Sequence, residues 1–242
     1  MKLIKLDAID STNEFLKGLS STQTLDNFTV VTAENQTKGK GQMNAIWLSE
    51  PGKNLLMSVL IKDLLFDSSQ LFIINRIISI SIIEALQTYA IPELSIKWPN
   101  DIMSYNKKIG GILIENTLKK NGLIQSIVGL GLNVNQTDFN QLPRASSLAE
   151  ICKTTFDKDE ILVTIINKMK YNCSLYNKNN ESFLLEYSSM LFKKGIPIPF
   201  LDQNKQNFMG IIQGVSSNGK LQILLEDDSI SEFDTKEIEM LY

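Results

Sequence analysis

The segment that most constrains this fold is residues 71–91, which carries apolar residues on every side of a helical projection and so leaves no face suited to water. A bilayer would satisfy such a helix. However, Arg76 and Glu84 interrupt the run, and a central arginine costs roughly 3 kcal/mol in hydrocarbon. A core helix covered by other elements is the expected solution. With 242 residues and 43% hydrophobic content the chain can supply that cover, as one large domain or a medium domain plus a small one.

Strand and helix signals alternate around this helix. Residues 2–6 read as a short strand, and Ser11-Thr12-Asn13-Glu14 has the serine-to-glutamate spacing of a capping box opening a helix to about Ser20. Residues 29–33 and 54–62 read as strands, with residues 34–46 a long polar loop between them. Further strands are expected at 95–98, 108–115 and 123–134, the last two joined by a tight turn at Lys120-Asn121-Gly122. Residues 157–193 are helical in pattern. From Gly195 the character changes: Pro197 and Pro199 mark an extended entry, short strands follow at 207–215, 221–225 and 229–233, and Ser217-Asn218-Gly219 supplies a hairpin turn. The expected class is α+β, with a mixed sheet and helices in residues 1–194 and a small β-barrel in residues 195–242.

Composition removes several chemistries. The chain has no histidine, so catalytic arrangements that need an imidazole are excluded. Its two cysteines, Cys152 and Cys173, are too few and too far apart for a zinc site, and their sparseness suits a reducing compartment. A formal net charge of -3 argues against a sequence-independent nucleic-acid binder and against a polybasic membrane anchor. The first ten residues lack the apolar core of a signal peptide, so a cytoplasmic location is expected.

Four segments can carry chemistry. Gln36-Thr37-Lys38-Gly39-Lys40-Gly41-Gln42 alternates lysine with glycine, so backbone N–H groups and ammonium charges can converge on an anion, although ordinary surface loops share this composition. Lys97-Trp98-Pro99-Asn100-Asp101 ends a strand at Trp-Pro and turns at Asn-Asp; it fits either polar groups presented beside a buried indole or a tryptophan simply packed under a turn. In Lys108-Ile109-Gly110-Gly111-Ile112-Leu113-Ile114-Glu115 a lysine opens an apolar strand and two glycines follow, a floor on which a ligand can lie flat; a solvated lysine closing a hairpin, with Gly-Gly as a bulge, fits as well. Val128-Gly129-Leu130-Gly131-Leu132-Asn133-Val134-Asn135 repeats the device, and is no dinucleotide fingerprint because no third glycine opens a helix.

In this order and spacing, with Asp10-Ser11-Thr12-Asn13 ahead of them and Trp47 closing the glycine loop, these segments resemble the catalytic domain of biotin-protein ligases over residues 5–135. The stretch after Gly195 is similar to that family's C-terminal module, a small SH3-like β-barrel. The resemblance implies that biotin's carboxylate attacks the α-phosphate of ATP to give biotinyl-adenylate, and that a lysine of a biotin carboxyl carrier protein then displaces AMP. It implies Lys108 as the catalytic lysine, lying against the biotin carboxylate and the α-phosphate. Ser11, Thr12, Asn13 and Gln36 correspond to positions around the biotin ring and its ureido group. Lys40, Gly41 and Gln42 correspond to the loop that closes over the adenylate, and Gly111 to the backbone approached by biotin's tail. Trp47, Asn100 and Asn133, with Lys40, correspond to nucleotide contacts. Mg²⁺ is expected to accompany ATP, with Asp101 as a candidate side-chain oxygen. The implied acceptor belongs to a biotin-dependent carboxylase; oligomeric state is left open, a homodimer included.

Two departures accompany the resemblance. The loop reads Gly39-Lys40-Gly41-Gln42-Met43-Asn44 where the family pattern carries arginines, and lysine lacks arginine's bidentate fork for phosphate. A weaker hold on the adenylate is expected, with Asn44 able to take the left-handed backbone angles that keep the loop's shape. Arg76 and Arg144 are the only arginines in the chain. The catalytic pattern also begins within ten residues of Met1, with no winged-helix DNA-binding domain ahead of it, so a repressor role is not expected. Two other readings stay open: a lipoate-protein ligase of the same fold, and a non-catalytic biotin-binding sensor.

Overall fold

The computed structural model describes residues 2–62, 64, 71–118, 124–140, 142–176 and 180–242. Strands β1 (Leu3–Ile9), β2 (Val30–Gln36), β3 (Leu55–Ile61), β4 (Leu94–Lys97), β5 (Asp101–Ser104), β6 (Lys107–Leu118) and β7 (Ile124–Leu132) form one mixed sheet. Their order is β1-β2-β3-β7-β6-β5-β4, with β1 and β2 parallel and every other pair antiparallel. Helices α1 (Thr12–Thr22), α2 (Leu71–Gln87), α3 (Leu148–Cys152), α4 (Lys158–Tyr176) and α5 (Asn180–Ser189) accompany it.

The period-two alternation of the central strands separates two apolar clusters. Val30, Val59 and Val128 join the large cluster that contains α2 and α4, whereas Val31, Leu60 and Ile127 pack with Leu16 of α1. Every residue of α2 from Ile73 to Ile83 is buried, as its all-round apolar sequence requires. Among the described residues no helix is long and apolar enough to cross a membrane.

Strands β8 (Pro197–Asp202), β9 (Asn207–Val215), β10 (Leu221–Leu224), β11 (Ile230–Phe233) and β12 (Ile238–Met240) make a second sheet, antiparallel throughout, in the order β11-β10-β9-β8-β12. Phe200, Ile212 and Ile223 of this sheet belong to the same apolar cluster as α2. The two sheets also meet at the hairpin tip before β10. There the Trp98 indole N–H donates to the Gly219 carbonyl at 2.8 Å, and Gly219, at φ +91, lies so close to Phe72 that a Cβ would stand 2.4 Å from its ring. The sequence placed a turn here, and only a residue without a side chain fits it.

Several expectations change. Ser11 has the extended backbone of an N-cap, but its side chain makes no cap hydrogen bond, so the capping box does not form; Glu14 pairs with Lys40 instead. Asp101, expected within a turn, begins β5, and the turn joining β4 to β5 is confined to residues 98–100, where the Trp98–Pro99 peptide is cis. Helix α3 and strand β12 were not among the expected elements, although Ser147 and Glu150 have the cap spacing and Ser147 Oγ accepts the Glu150 N–H at 3.2 Å, and β8 runs through the two prolines that read only as an extended entry. The expected turn at residues 120–122 lies outside the described residues.

Candidate active site

A cavity of about 240 Å³ opens on the α1 face of the large sheet, and the sequence explains why space exists there. On β7, Ile127, Gly129 and Gly131 share one face, so the packing of Ile127 gives way to two positions without side chains. Gly131 sits directly opposite Gly111 of β6, and the pair forms a flat floor. The Trp47 indole lies on that floor: a Cβ at Gly131 would stand 2.4 Å from the ring, and one at Gly111 3.1 Å.

Four side chains gather around the start of α1. Gln36 Oε1 accepts the Thr12 backbone N–H at 2.8 Å and the Thr12 hydroxyl at 3.0 Å. Ser58 Oγ, buried on β3, lies 2.7 Å from Thr12 Oγ1 and 2.6 Å from Asn13 Oδ1. Asn13 Nδ2 donates to Glu115 Oε2 at 3.0 Å, and the other oxygen of Glu115 accepts from Lys17 at 3.0 Å. Two hydroxyl protons thus serve three contacts, so Thr12 donates either to Gln36 or to Ser58, and when it turns to Ser58 a lone pair of Gln36 Oε1 is open to an N–H group of a ligand. Ser11, buried beside this cluster, also lines the cavity.

The glycine loop folds back as a tight hairpin. Trp47 N–H donates to the Gly39 carbonyl at 3.0 Å, Gly41 N–H to the Ala45 carbonyl at 2.7 Å, and Lys40 bridges to Ile46. At the tip Met43 takes left-handed backbone angles, at φ +57. Lys40 Nζ reaches Glu14 at 2.8 Å, and this hydrogen bond holds the Glu14 carboxyl below its ordinary range. Both partners are about half exposed, so the pair contributes little stability and its ammonium is readily taken over by an anion.

Lys108 stands where this cavity meets a second one of about 420 Å³; Lys108, Asp101, Trp47 and Ile46 line both. A bulge in β6 at Ile109, between the pairs Gly110–Ile102 and Lys108–Met103, changes the alternation of the strand. The Lys108 ammonium thereby comes 2.6 Å from Asp101 Oδ1 and 5.6 Å from the centre of the Trp47 ring. Lys97 Nζ stands 3.9 Å from the other Asp101 oxygen.

Of the residues expected at the site, Ser11, Thr12, Asn13, Gln36, Lys40, Gly41, Gln42, Trp47, Asn100, Asp101, Lys108 and Gly111 line the first cavity. Asn133 lines the second, its Nδ2 held by the Ser146 carbonyl at 3.0 Å. Asn100 donates its Nδ2 to the Ile112 carbonyl at 2.8 Å, which ties the 98–100 turn to β6. The structure adds Ser58, Arg144 and Tyr242, which no motif marked. Among the described residues no cluster of three or more acidic or thiol side chains could hold a metal ion.

The model of the family described as "Biotin/lipoate A/B protein ligase family" matches residues 6–133. The chain is 26% identical over 228 residues to the bifunctional ligase/repressor BirA of Salmonella typhimurium, covering 93% of this chain and 69% of that protein. It is 23% identical over 197 residues to the biotin--[acetyl-CoA-carboxylase] ligase of Mycobacterium tuberculosis, covering 79% of this chain and 71% of the relative. In structure it is similar to the biotin protein ligase from Aquifex aeolicus solved with biotin and ATP, with a TM-score of 0.81, 30% identity, and 99% and 98% of the two chains covered.

Proposed function

Because the chain belongs to the biotin/lipoate A/B protein ligase family, we propose that it activates biotin with ATP and passes the biotinyl group to a lysine of a biotin carboxyl carrier domain. The observation that carries this reading is the position of Lys108, at the wall shared by a cavity with a polar end and a cavity lined by Lys97, Lys108 and Arg144. An acid anchored in the first and a nucleotide in the second would meet at that ammonium.

In the first step an oxygen of the biotin carboxylate attacks the α-phosphorus, and the bond from that phosphorus to the β-phosphate bridging oxygen breaks to release pyrophosphate. Both reactants are anions. The Lys108 charge offsets their repulsion and stabilises the crowded phosphoryl group in the transition state. Asp101 holds the ammonium in place at 2.6 Å before the nucleotide enters. In the second step the neutral amine of the carrier lysine attacks the acyl carbon, the acyl–phosphate bond breaks, AMP leaves with the electron pair, and the amine loses its proton to solvent. Trp47 and the 39–47 hairpin cover the mixed anhydride and keep water from it in the interval.

Mg²⁺ enters this scheme as part of the ATP substrate, held by phosphate and water. Asp101 already faces two ammonium groups, which oppose a resident cation there. It is therefore assigned first to orienting Lys108, and it meets the metal of the incoming nucleotide only by releasing a lysine.

The polar cluster of Gln36, Thr12, Ser58 and Asn13 favours biotin over lipoate, because a ureido ring can hydrogen-bond with these groups and a dithiolane cannot. Acid-dependent release of pyrophosphate from ATP, measured with each acid, tests the reading. Activity with biotin and none with lipoate is expected, and activity with lipoate alone overturns it. Saturable biotin binding with no pyrophosphate release would identify a sensor instead.

A further inference from the structure

Arg144 occupies an unusual place in a chain with only two arginines. Arg76 is buried within α2, whereas Arg144 lines the second cavity together with Lys97, Lys108 and Tyr242. The backbone at Arg144 is fastened to the reacting lysine: Lys108 N–H donates to the Arg144 carbonyl at 2.8 Å, and Ser146 N–H donates to the Lys108 carbonyl at 3.0 Å. The guanidinium carbon lies 4.9 Å from the centre of the Tyr242 ring, and Lys97 Nζ lies 5.0 Å from it. Tyr242 is fixed in turn by an edge contact with Phe192, centroids 5.0 Å apart.

This corner of the cavity has an excess of positive charge. Its one acidic side chain, Asp101, is already paired with Lys108 and faces Lys97, and Arg144 forms no ion pair among the described residues. The Arg144 guanidinium also donates a hydrogen bond to the Tyr242 phenol, but it carries five N–H groups, and those that remain can meet two phosphate oxygens at once. Lys108 stands at the junction where the α-phosphate would react, so the β- and γ-phosphates must extend away from the biotin cavity. The cations that remain in the second cavity are Lys97 and Arg144.

Resting on the nucleotide-dependent function proposed above, we infer that Arg144, held beside Tyr242, binds the outer phosphates of ATP and supplies from the 142–145 turn the guanidinium that the 39–44 loop lacks. Lys40 lines the first cavity and Arg144 the second, so the two cations divide the work: Lys40 serves closure of the hairpin over the adenylate, and Arg144 grips the triphosphate. Tyr242 follows β12, so the second sheet contributes directly to nucleotide affinity, and it does so for ATP and not for AMP.

Calorimetric binding of Mg-ATP and of AMP to the full chain, without biotin, tests this on the native protein and on Arg144→Ala, Arg144→Lys and Tyr242→Leu. Loss of a bidentate charged contact should weaken ATP by about 10- to 100-fold in Arg144→Ala and leave AMP within about twofold. Arg144→Lys, which keeps the charge and loses the fork, should recover only part of the affinity, and Tyr242→Leu should weaken ATP while sparing AMP. Biotin affinity should stay unchanged in all three, and so should the melting temperature of the two Arg144 variants; Tyr242→Leu also loses the edge contact with Phe192. Unchanged ATP binding in Arg144→Ala, or equal weakening of ATP and AMP, overturns the assignment while leaving the proposed function intact. Should Arg144→Ala fail to fold, Arg144→Lys binding ATP as tightly as the native protein overturns it equally. Native protein that binds neither nucleotide and releases no pyrophosphate when biotin is added overturns the assignment and the proposed function together.

Discussion

At the scale of single residues, Ser58 connects the two halves of the biotin-side cluster. Its hydroxyl lies between Thr12 and Asn13, and the protons available to the group fall one short of its contacts. Removing that hydroxyl leaves Asn13 Oδ1 without its partner and frees Thr12 to turn, so Ser58→Ala should raise KM for biotin about tenfold, in line with the cost of one buried hydrogen bond. KM for ATP should stay within about twofold. Steady-state kinetics with each substrate varied in turn checks this; equal changes in both would show a general loss of structure. Ser58 was not legible in the sequence. It sits in a uniformly apolar strand, and the residues that give it meaning stand at positions 12, 13 and 36, brought together only by the pairing of β1, β2 and β3. Thr12, Asn13 and Gln36 themselves were legible, because their segments resemble a known pattern.

At the scale of elements, the glycines of β6 and β7 were readable, and the bulge that one reading placed at Gly110-Gly111 falls one residue earlier, at Ile109. Period-two spacing by itself places Gly129 and Gly131 on one face, and the order of the strands then sets Gly111 against Gly131. A bulge depends on how β5 pairs with β6, and Asp101, the first residue of β5, read as part of a turn. The capping box failed for a related reason: Glu14 has a better electrostatic partner in Lys40, a residue 26 positions away. The glycine floor carries its own prediction. Gly131→Ala puts a methyl where the Trp47 ring now lies, and the nearest ring atom would be 2.4 Å away. The indole must lift, so biotin and ATP should both bind about tenfold or more weakly, because the wall shared by their cavities moves. Tryptophan fluorescence should report a more exposed indole. Native emission with unchanged binding would show that the ring does not rest on this floor.

At the scale of the whole molecule, the apolar α2 did what its sequence requires: it became the centre that both sheets cover. The docking of the second sheet was less visible. Trp98 belongs to a segment read as part of the site, yet its indole N–H points to the Gly219 carbonyl of the C-terminal hairpin, 121 residues away. Gly219→Ala combines a positive φ with a contact 2.4 Å from the Phe72 ring, so it should lower stability by about 1–3 kcal/mol. Denaturant unfolding measures this, and an unchanged midpoint would show that the hairpin tip does not bear on Phe72. The account as a whole rests on Lys108 acting where the two cavities meet. ATP-dependent transfer of biotin to a carrier domain, compared between the native chain and Lys108→Ala, tests it most directly. A loss of about 100-fold or more in transfer, with biotin binding retained, is the predicted result; transfer that proceeds undiminished in the variant would contradict it.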